Sequence, residues 1–182
     1  MKKLIAYSLW GDNPKYTEGA VVNALQTPEV YPGWIARFYC GDSVPRGIVE
    51  KLQDAGAEVL LKNGPNDNRI RFWRFLALAD PSAERIIIRD TDSRLTIRER
   101  RAVQEWEDGG EIGHIMRDHP YHGMPILAGM WGCRGGVFLD IEALINEFCP
   151  TTIFNQDQLF LEQVIYPRLL KAGCCVHDPF FR

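Results

Sequence analysis

Short apolar runs alternate with longer amphipathic stretches over the first two thirds of the chain. Leu4 to Leu9 is an apolar run closed by Gly-Asp-Asn-Pro, the pattern of a buried strand ending in a loop, and a helix over about Tyr16 to Gln26 follows. Trp34 to Cys40 reads as a second strand ending in Gly-Asp-Ser. Pro45 then opens a helix to about Ala55, and Ala57 to Leu61 forms a third strand. Asp67 caps a predicted helix whose apolar members are Phe72, Trp73, Phe75, Leu76 and Leu78, and Pro81 marks its end. Ile86-Ile87-Ile88, between Arg85 and Arg89, is short and apolar enough to be a central strand covered on both faces, and it runs straight into Asp90-Thr91-Asp92. Thr96 and Glu99 have capping-box spacing for a helix to about Glu107, stopped by Gly109-Gly110 before a strand at Ile112 to Met116.

The regularity then breaks. A stretch rich in Gly, Pro, His and aromatic residues runs from Arg117 through Gly136, which predicts a long loop, with a strand resuming at Val137 to Leu139. A late helix spans roughly Gln156 to Leu170, interrupted or shortened near Pro167, and Cys174 to Phe181 closes the chain. There is no internal repeat and no linker. Strand–helix alternation of this kind predicts a single α/β domain with a mostly parallel, Rossmann-like central sheet and helices on both faces. Its ligand crevice lies beyond the carboxyl ends of the strands, where Asp12, Asp42 and Asp90 fall.

Composition narrows the class without naming a function. The chain has 182 residues, 46% hydrophobic and 25% charged, with net charge −3, which describes a soluble globular protein and gives a nucleic-acid partner no electrostatic support. The five cysteines include an adjacent pair and no C-x-x-C spacing, and they read as reduced thiols of a cytosolic protein. The apolar run near the N-terminus is too short for a signal peptide or transmembrane segment, so any membrane association is expected to be peripheral.

Candidate chemistry begins at Asp90-Thr91-Asp92. Two carboxylates one residue apart at a strand end can hold a hard divalent cation, which would neutralise a substrate's diphosphate. As plain structure, the same residues shape a turn and pair with Arg89 and Arg94. A strand followed by Asp-x-Asp also matches the opening motif of haloacid-dehalogenase-like phosphatases, in which the first Asp is the nucleophile. That motif normally lies near the start of a chain, whereas here it is central and carries Arg94 where Thr or Val is expected.

The apolar strand, Asp90-Thr91-Asp92 and the α/β half before them resemble the nucleotide-sugar glycosyltransferases of the GT-A fold. The resemblance implies that Asp90 and Asp92 hold Mn²⁺ or Mg²⁺ on the diphosphate of a UDP- or GDP-linked donor, Asp92 more directly, and that His177 completes the shell. It places Ser8, Trp10 and Tyr16 at the base and ribose, the segment of Asn68, Arg69, Arg71 and Arg74, with one or two of its arginines pointing inward, at the nucleotide or diphosphate, and Gly129 and the loop to Gly136, including Arg134, beside the donor sugar. Arg117, Asp118, His119 and His122 cluster with that loop, as ligands for phosphate and sugar hydroxyls or as a solvated surface.

Asn155-Gln156-Asp157-Gln158 resembles the Asp-Gln stretch opening a late helix in glycogenin-like members. Asp157 would then contact the acceptor or the transferred sugar, although Asn155 and Gln158 also have the spacing of a local cap. An inverting enzyme needs a carboxylate base on the acceptor hydroxyl, for which Asp157 is the first candidate and Asp118 the second. Residues 1–95 would bind the nucleotide and 96–182 a glycan or other hydroxyl acceptor, in a chain short for this class. Other readings are a nucleotidyltransferase, for which Trp10-Gly11-Asp12-Asn13 lacks the glycine- and lysine-rich loop, and a non-catalytic sugar- or nucleotide-binding module.

Overall fold

A computed structural model of the protein describes residues 1–117, 119 and 123–178. One seven-stranded sheet organises them, in the order β3-β2-β1-β4-β6-β5-β7. Strand β1 (Lys2–Leu9) lies between β2 (Trp34–Gly41) and β4 (Ala83–Ile88), parallel to both, and β3 (Glu58–Lys62) extends the parallel part beyond β2. On the other side β6 (Trp131–Arg134) runs antiparallel to β4 and to β5 (Gly113–Met116), and β7 (Cys174–His177) pairs parallel with β5.

Side-chain alternation along the central strands builds a core on each face. Ile5, Tyr7 and Leu9 of β1 and Ile87 of β4 face one side. There they meet Ala20 and Ala24 of α1 (Pro14–Val30), Leu52 of α2 (Arg46–Asp54), and Val103 and Trp106 of α3 (Ile97–Gly109). Leu4, Ala6, Ile86 and Ile88 face the other side, against Phe72, Phe75 and Leu78, with α4 (Ile141–Phe148) and α5 (Gln156–Phe160). The helical segment from α5 continues through a π-helical turn (Leu161–Ile165) into α6 (Tyr166–Ala172), so the break predicted near Pro167 is a register change at the start of α6.

Three local expectations are revised. The segment after Asp67 is a succession of 3₁₀ turns over Asn68–Ala79, not an α-helix. Its buried apolar residues repeat at i, i+3 through Phe72, Phe75 and Leu78, the spacing that three residues per turn aligns. The amide of Arg74, which an α-helix would bond to the carbonyl four residues back, donates to Ser8 Oγ at 2.9 Å. The resumed strand is β6 within the glycine-containing stretch, and 137–139 form turns instead. There Gly135 passes so close to β4 that a Cβ would lie 1.8 Å from the Ala83 carbonyl oxygen. Thr96 does cap α3, accepting from Glu99 N at 3.2 Å, but the Glu99 carboxylate does not close the box. It is buried, taking Arg89 Nε at 2.5 Å and Tyr31 Oη at 2.8 Å.

Candidate functional site

The carboxyl ends of β1 and β4 deliver Trp10 and Asp90 to the same edge of the sheet. Two open clefts meet there. The first, about 550 Å³, is lined by Trp10, Asp12, Lys15, Tyr16, Asn66 and Asp92. The second, about 480 Å³, is lined by Ser93, Leu127, Gly129, Asn155, Asp157 and Gln158. Arg71, Arg74 and Asp90 line both and form the wall between them.

Arg74 is the hub of that wall. Only 4% of its side chain is exposed, and it donates from Nη2 to Asp157 Oδ2 at 2.8 Å and from Nη1 to the Asp90 carboxylate and to the Arg89 carbonyl, the last at 3.3 Å. Its backbone is fixed through Ser8, whose hydroxyl accepts the Arg74 amide and donates to the Arg71 carbonyl at 3.3 Å. A buried cation between two carboxylates ties the 3₁₀ segment, the end of β4 and the start of α5 together. Burial pushes the Asp90 carboxyl up, but the charge and hydrogen bond of Arg74 outweigh it and hold the group below the ordinary carboxylate range.

Gly129 presses on the same carboxylate: a Cβ there would lie 2.0 Å from Asp90 Oδ2. Its loop is held by Gln158, which accepts from Ala128 N at 3.0 Å and donates to the Ile126 carbonyl. The capping role open to Asn155 and Gln158 is therefore not taken: Asn155 has left-handed backbone, φ 64°, and makes no side-chain cap bond.

Asp92 lines the first cleft with its carboxylate 28% exposed and paired at 2.8 Å with Lys15, a side chain 61% exposed. The hydrogen bond to Asp92 raises the Lys15 ammonium above its usual range. Among the described residues no three His, Cys, Asp or Glu side chains form a metal cage. Asp90 and Asp92 are nevertheless a fitting partial donor set, because Mg²⁺-like ions commonly take one or two carboxylates and complete their shell with substrate phosphates and water. The exposed Lys15 can vacate Asp92 at little cost.

The other expected site residues are dispersed. Trp10 and Tyr16 line the first cleft. Arg69 lines neither cleft and pairs with its own capping residue, Asp67, at 2.7 Å. Arg134 sits across β4 from Arg85, at the end of the sheet opposite Asp90, because β6 runs antiparallel to β4. Asp118 and His122 lie outside the described residues. Arg117 donates to Asp178 at 2.7 Å and to the Pro125 carbonyl at 2.6 Å.

His177 does not join Asp90 and Asp92. It ends β7, three strands from β4, roughly 14 Å at ordinary strand spacing. Its Nδ1 lies 3.2 Å from Nε2 of the buried His114, and its Nε2 lies 2.9 Å from Glu105 Oε2. Burial, with the charge of Arg89, pushes the His114 imidazole well below its usual range. Because the unfolded chain, with pKa ~6.5, takes up that proton first, stability is complete above about pH 6.5 and falls as the pH drops below it, by at most ~1.4 kcal/mol per pH unit. Urea unfolding between pH 8 and 5 checks this. His114→Gln is expected to flatten the fall, and an unchanged slope would assign it to another group.

Lys15, Asn66 and Phe154 also line the first cleft, beyond the residues expected there from the sequence. A lysine in the first turn of α1, where the helix dipole disfavours a cation, was a readable signal.

No protein-family model and no curated protein matches the chain, whereas solved structures match it over almost its whole length. A glycosyltransferase involved in glycosylation of the major capsid of PBCV-1 superposes with TM-score 0.60 at 14% identity, covering 99% of this chain and 82% of its own. A mannosyltransferase from Pyrobaculum calidifontis, in complex with GDP-Man and Mn²⁺, gives 0.60 at 11% identity, covering 98% of this chain and 54% of its own. A putative glucose-1-phosphate thymidylyltransferase from Bacillus anthracis gives 0.62 at 11% identity, with 98% and 87% covered. The fold is thus of the GT-A type, shared by glycosyltransferases and nucleotidyltransferases.

Proposed function

We propose that the protein is a metal-dependent glycosyltransferase that moves a sugar from a nucleoside-diphosphate donor, UDP- or GDP-linked, to a glycan or other hydroxyl acceptor. The observation that carries this reading is the junction of the two clefts at Asp90, Arg74 and Asp157, with Gly129 against it. Two ligands lying one in each cleft would meet across that wall. The first cleft is lined almost entirely from residues 1–95, and the part of the second that is not shared comes largely from 96–182, in line with a nucleotide half and an acceptor half.

Trp10 and Tyr16 offer aromatic faces to the base and ribose, and Asp90 and Asp92 would hold Mn²⁺ or Mg²⁺ at the diphosphate. The ion, when bound, neutralises charge developing on the departing nucleoside diphosphate. Arg74 keeps Asp90 ionised and fixed. If configuration is inverted, Asp157 is the candidate base on the acceptor hydroxyl. Oδ2 is taken by Arg74 and Oδ1 has Arg71 no nearer than 3.9 Å, which leaves Oδ1 for the acceptor. Asp118 remains the second candidate.

The phosphatase reading fares worse, because its motif expects Thr or Val where this chain carries Arg94. We place the protein in the cytoplasm, any membrane association being peripheral. Its five cysteines are free thiols, and no helix among the described residues is long and apolar enough to cross a membrane.

The test is a thermal-shift series of nucleoside diphosphates and nucleotide sugars with and without Mn²⁺. One nucleotide is expected to stabilise the protein by about 2.7 kcal/mol at a hundredfold excess over its Kd, only with the metal. Asp92→Asn should abolish that shift and change the stability of the unliganded protein by less than about 1 kcal/mol, since the pair it removes, with the exposed Lys15, lies at the surface. No shift with any nucleotide would overturn the proposal. Release of pyrophosphate from a nucleoside triphosphate and a sugar phosphate would transfer it to the nucleotidyltransferases.

A further inference from the structure

Asp90 and Asp92 are held in different ways. Asp90 is fixed through its side chain, by Arg74 on one side and Gly129 on the other. The Asp92 carboxylate meets Lys15, a side chain 61% exposed, so its position is left to the backbone of the turn that carries it.

That backbone is tied to α1. Asn23, fully buried in the middle of the helix, donates from Nδ2 to the Ser93 carbonyl at 2.9 Å and to the Thr91 carbonyl at 3.4 Å, the residues on either side of Asp92. Its Oδ1 accepts from Arg94 Nη1 at 2.8 Å, and the same guanidinium donates to the Gly19 carbonyl at 2.7 Å and to the Thr91 carbonyl at 3.1 Å. A guanidinium only donates and a carbonyl only accepts, so the Asn23 amide has one workable orientation and both its ends are used. Arg94, which the sequence allowed as a partner for the aspartates, directs its guanidinium to α1 and the turn's own backbone instead.

Helix α1 gives up stability for this contact. Asn is a poor helix former, and a buried amide costs about 1–3 kcal/mol wherever it is left unpaired. Gly19, one turn before Asn23, costs about 1 kcal/mol relative to Ala in a helix interior. Yet a Cβ there would lie 2.3 Å from the Thr91 carbonyl oxygen and 2.5 Å from Arg94 Nη2, so only glycine lets the helix come this close to the turn.

We infer that Asn23, with Arg94, is a positioning residue for the metal: by holding the carbonyls on both sides of Asp92, it sets that carboxylate where it can share one ion with Asp90. This rests on the proposed function and gives α1 a part in it that neither cleft reveals, since Asn23 lines neither. Mg²⁺-like ions demand near-octahedral geometry at about 2.0–2.1 Å, so a turn that drifts loses metal before it loses the fold.

The test uses the nucleoside diphosphate that wild type binds best in the thermal-shift series, and reads the Mn²⁺ concentration that half-saturates its shift. Wild type is compared with Asn23→Ala, Arg94→Met, Arg94→Lys and Thr27→Val. The Mn²⁺ midpoint is expected to rise about 10- to 100-fold in Asn23→Ala and about tenfold in Arg94→Met. Arg94→Lys, which keeps the charge and loses the fork, should fall between Arg94→Met and wild type. At saturating Mn²⁺ the midpoint for the nucleotide itself should stay near wild type in all of them. Thr27, one turn further along α1, donates from Oγ1 to the Asn23 backbone carbonyl at 2.8 Å. Thr27→Val therefore loosens the helix without releasing either carbonyl of the turn, and its Mn²⁺ midpoint should match wild type.

Wild-type Mn²⁺ midpoints in Asn23→Ala and Arg94→Met would overturn the inference and leave the functional reading standing. An equal rise in Thr27→Val would also overturn it, by making helix stability the cause. So would an equal loss of nucleotide affinity at saturating metal, which would make Asn23 and Arg94 structural residues. The two Arg94 variants, at an exposed position, carry the test should Asn23→Ala not fold. Wild type that shows no metal-dependent shift would sink the functional reading, and this inference with it.

Discussion

Replacing Arg74 with methionine is expected to destabilise the protein by about 3–5 kcal/mol at pH 7, roughly a 10 °C fall in melting temperature for a chain of this size. The cost falls mainly on Asp157. Its side chain is 4% exposed, so loss of the guanidinium strands a buried carboxylate, whereas the Asp90 side chain is 43% exposed and can be rehydrated. A buried carboxylate left without its cation is relieved when it takes up a proton, so part of the lost stability should return as the pH falls. Asp157→Leu added to Arg74→Met should recover much of the loss, because no buried charge then remains. Urea unfolding at pH 7 and pH 5 reads both effects. A loss below 1 kcal/mol, or one that grows as the pH falls, would mean that Arg74 is not holding this junction together.

The parallel half of the sheet was legible because each strand there is a short apolar run delimited by Gly, Pro or Asp, and β4 spells its two-faced burial in three consecutive isoleucines. The antiparallel half was not. Strand β6 is Trp-Gly-Cys-Arg, with glycines on either side, and so looks like a loop; its strand character comes from pairing with β4 and β5. Helix α4 carries the i, i+3, i+4, i+7 pattern of Ile141, Leu144, Ile145 and Phe148, which the neighbouring glycine-rich stretch obscures. The 3₁₀ segment shows the limit of periodicity: i, i+3 spacing serves both helix types, and Ser8, 66 residues away in sequence, captures the amide that an α-helix would have used.

The site follows the same division. That Asp90 and Asp92 follow the end of a strand was legible because strand and motif are adjacent, and that Asp157 lies at the start of a helix because polar residues flank it. His177 was expected among the ligands on sequence position alone, and strand order overrules position: β7 joins the sheet beyond β5, and its histidine meets His114 and Glu105. Among four polar residues of one segment, Asn68, Arg69, Arg71 and Arg74, the fold sets Arg71 and Arg74 together on the cleft wall and leaves Arg69 with Asp67, a division that i, i+3 spacing permits in either helix type. The partners that make them useful, Trp10, Phe154 and Asp157, come from distant segments.

Gly129→Ala tests whether that wall is a working surface or simply well packed. The added Cβ would lie 2.0 Å from Asp90 Oδ2 and 2.6 Å from its Cγ, so the carboxylate has to swing away, and 3.2 Å from the Asp90 amide, which asks the backbone for only a few tenths of an ångström. A partly exposed side chain can make that movement, so stability should fall by little more than about 1 kcal/mol. The carboxylate would nevertheless leave Arg74 and the position beside Asp92. A displacement near 1 Å at a reacting group costs about a hundredfold in rate, and sugar transfer or donor hydrolysis should drop by that much, with the Mn²⁺-dependent thermal shift reduced in parallel. Gly135→Ala is the comparison, because its Cβ would meet the Ala83 carbonyl oxygen at 1.8 Å, backbone against backbone, far from either cleft. It should lower the melting temperature strongly and leave the activity of whatever remains folded near normal. The two glycines therefore predict opposite splits between stability and activity. Wild-type activity in Gly129→Ala, or a loss of stability matching that of Gly135→Ala, would reduce the contact with Asp90 to ordinary packing and remove the junction's claim to a functional role.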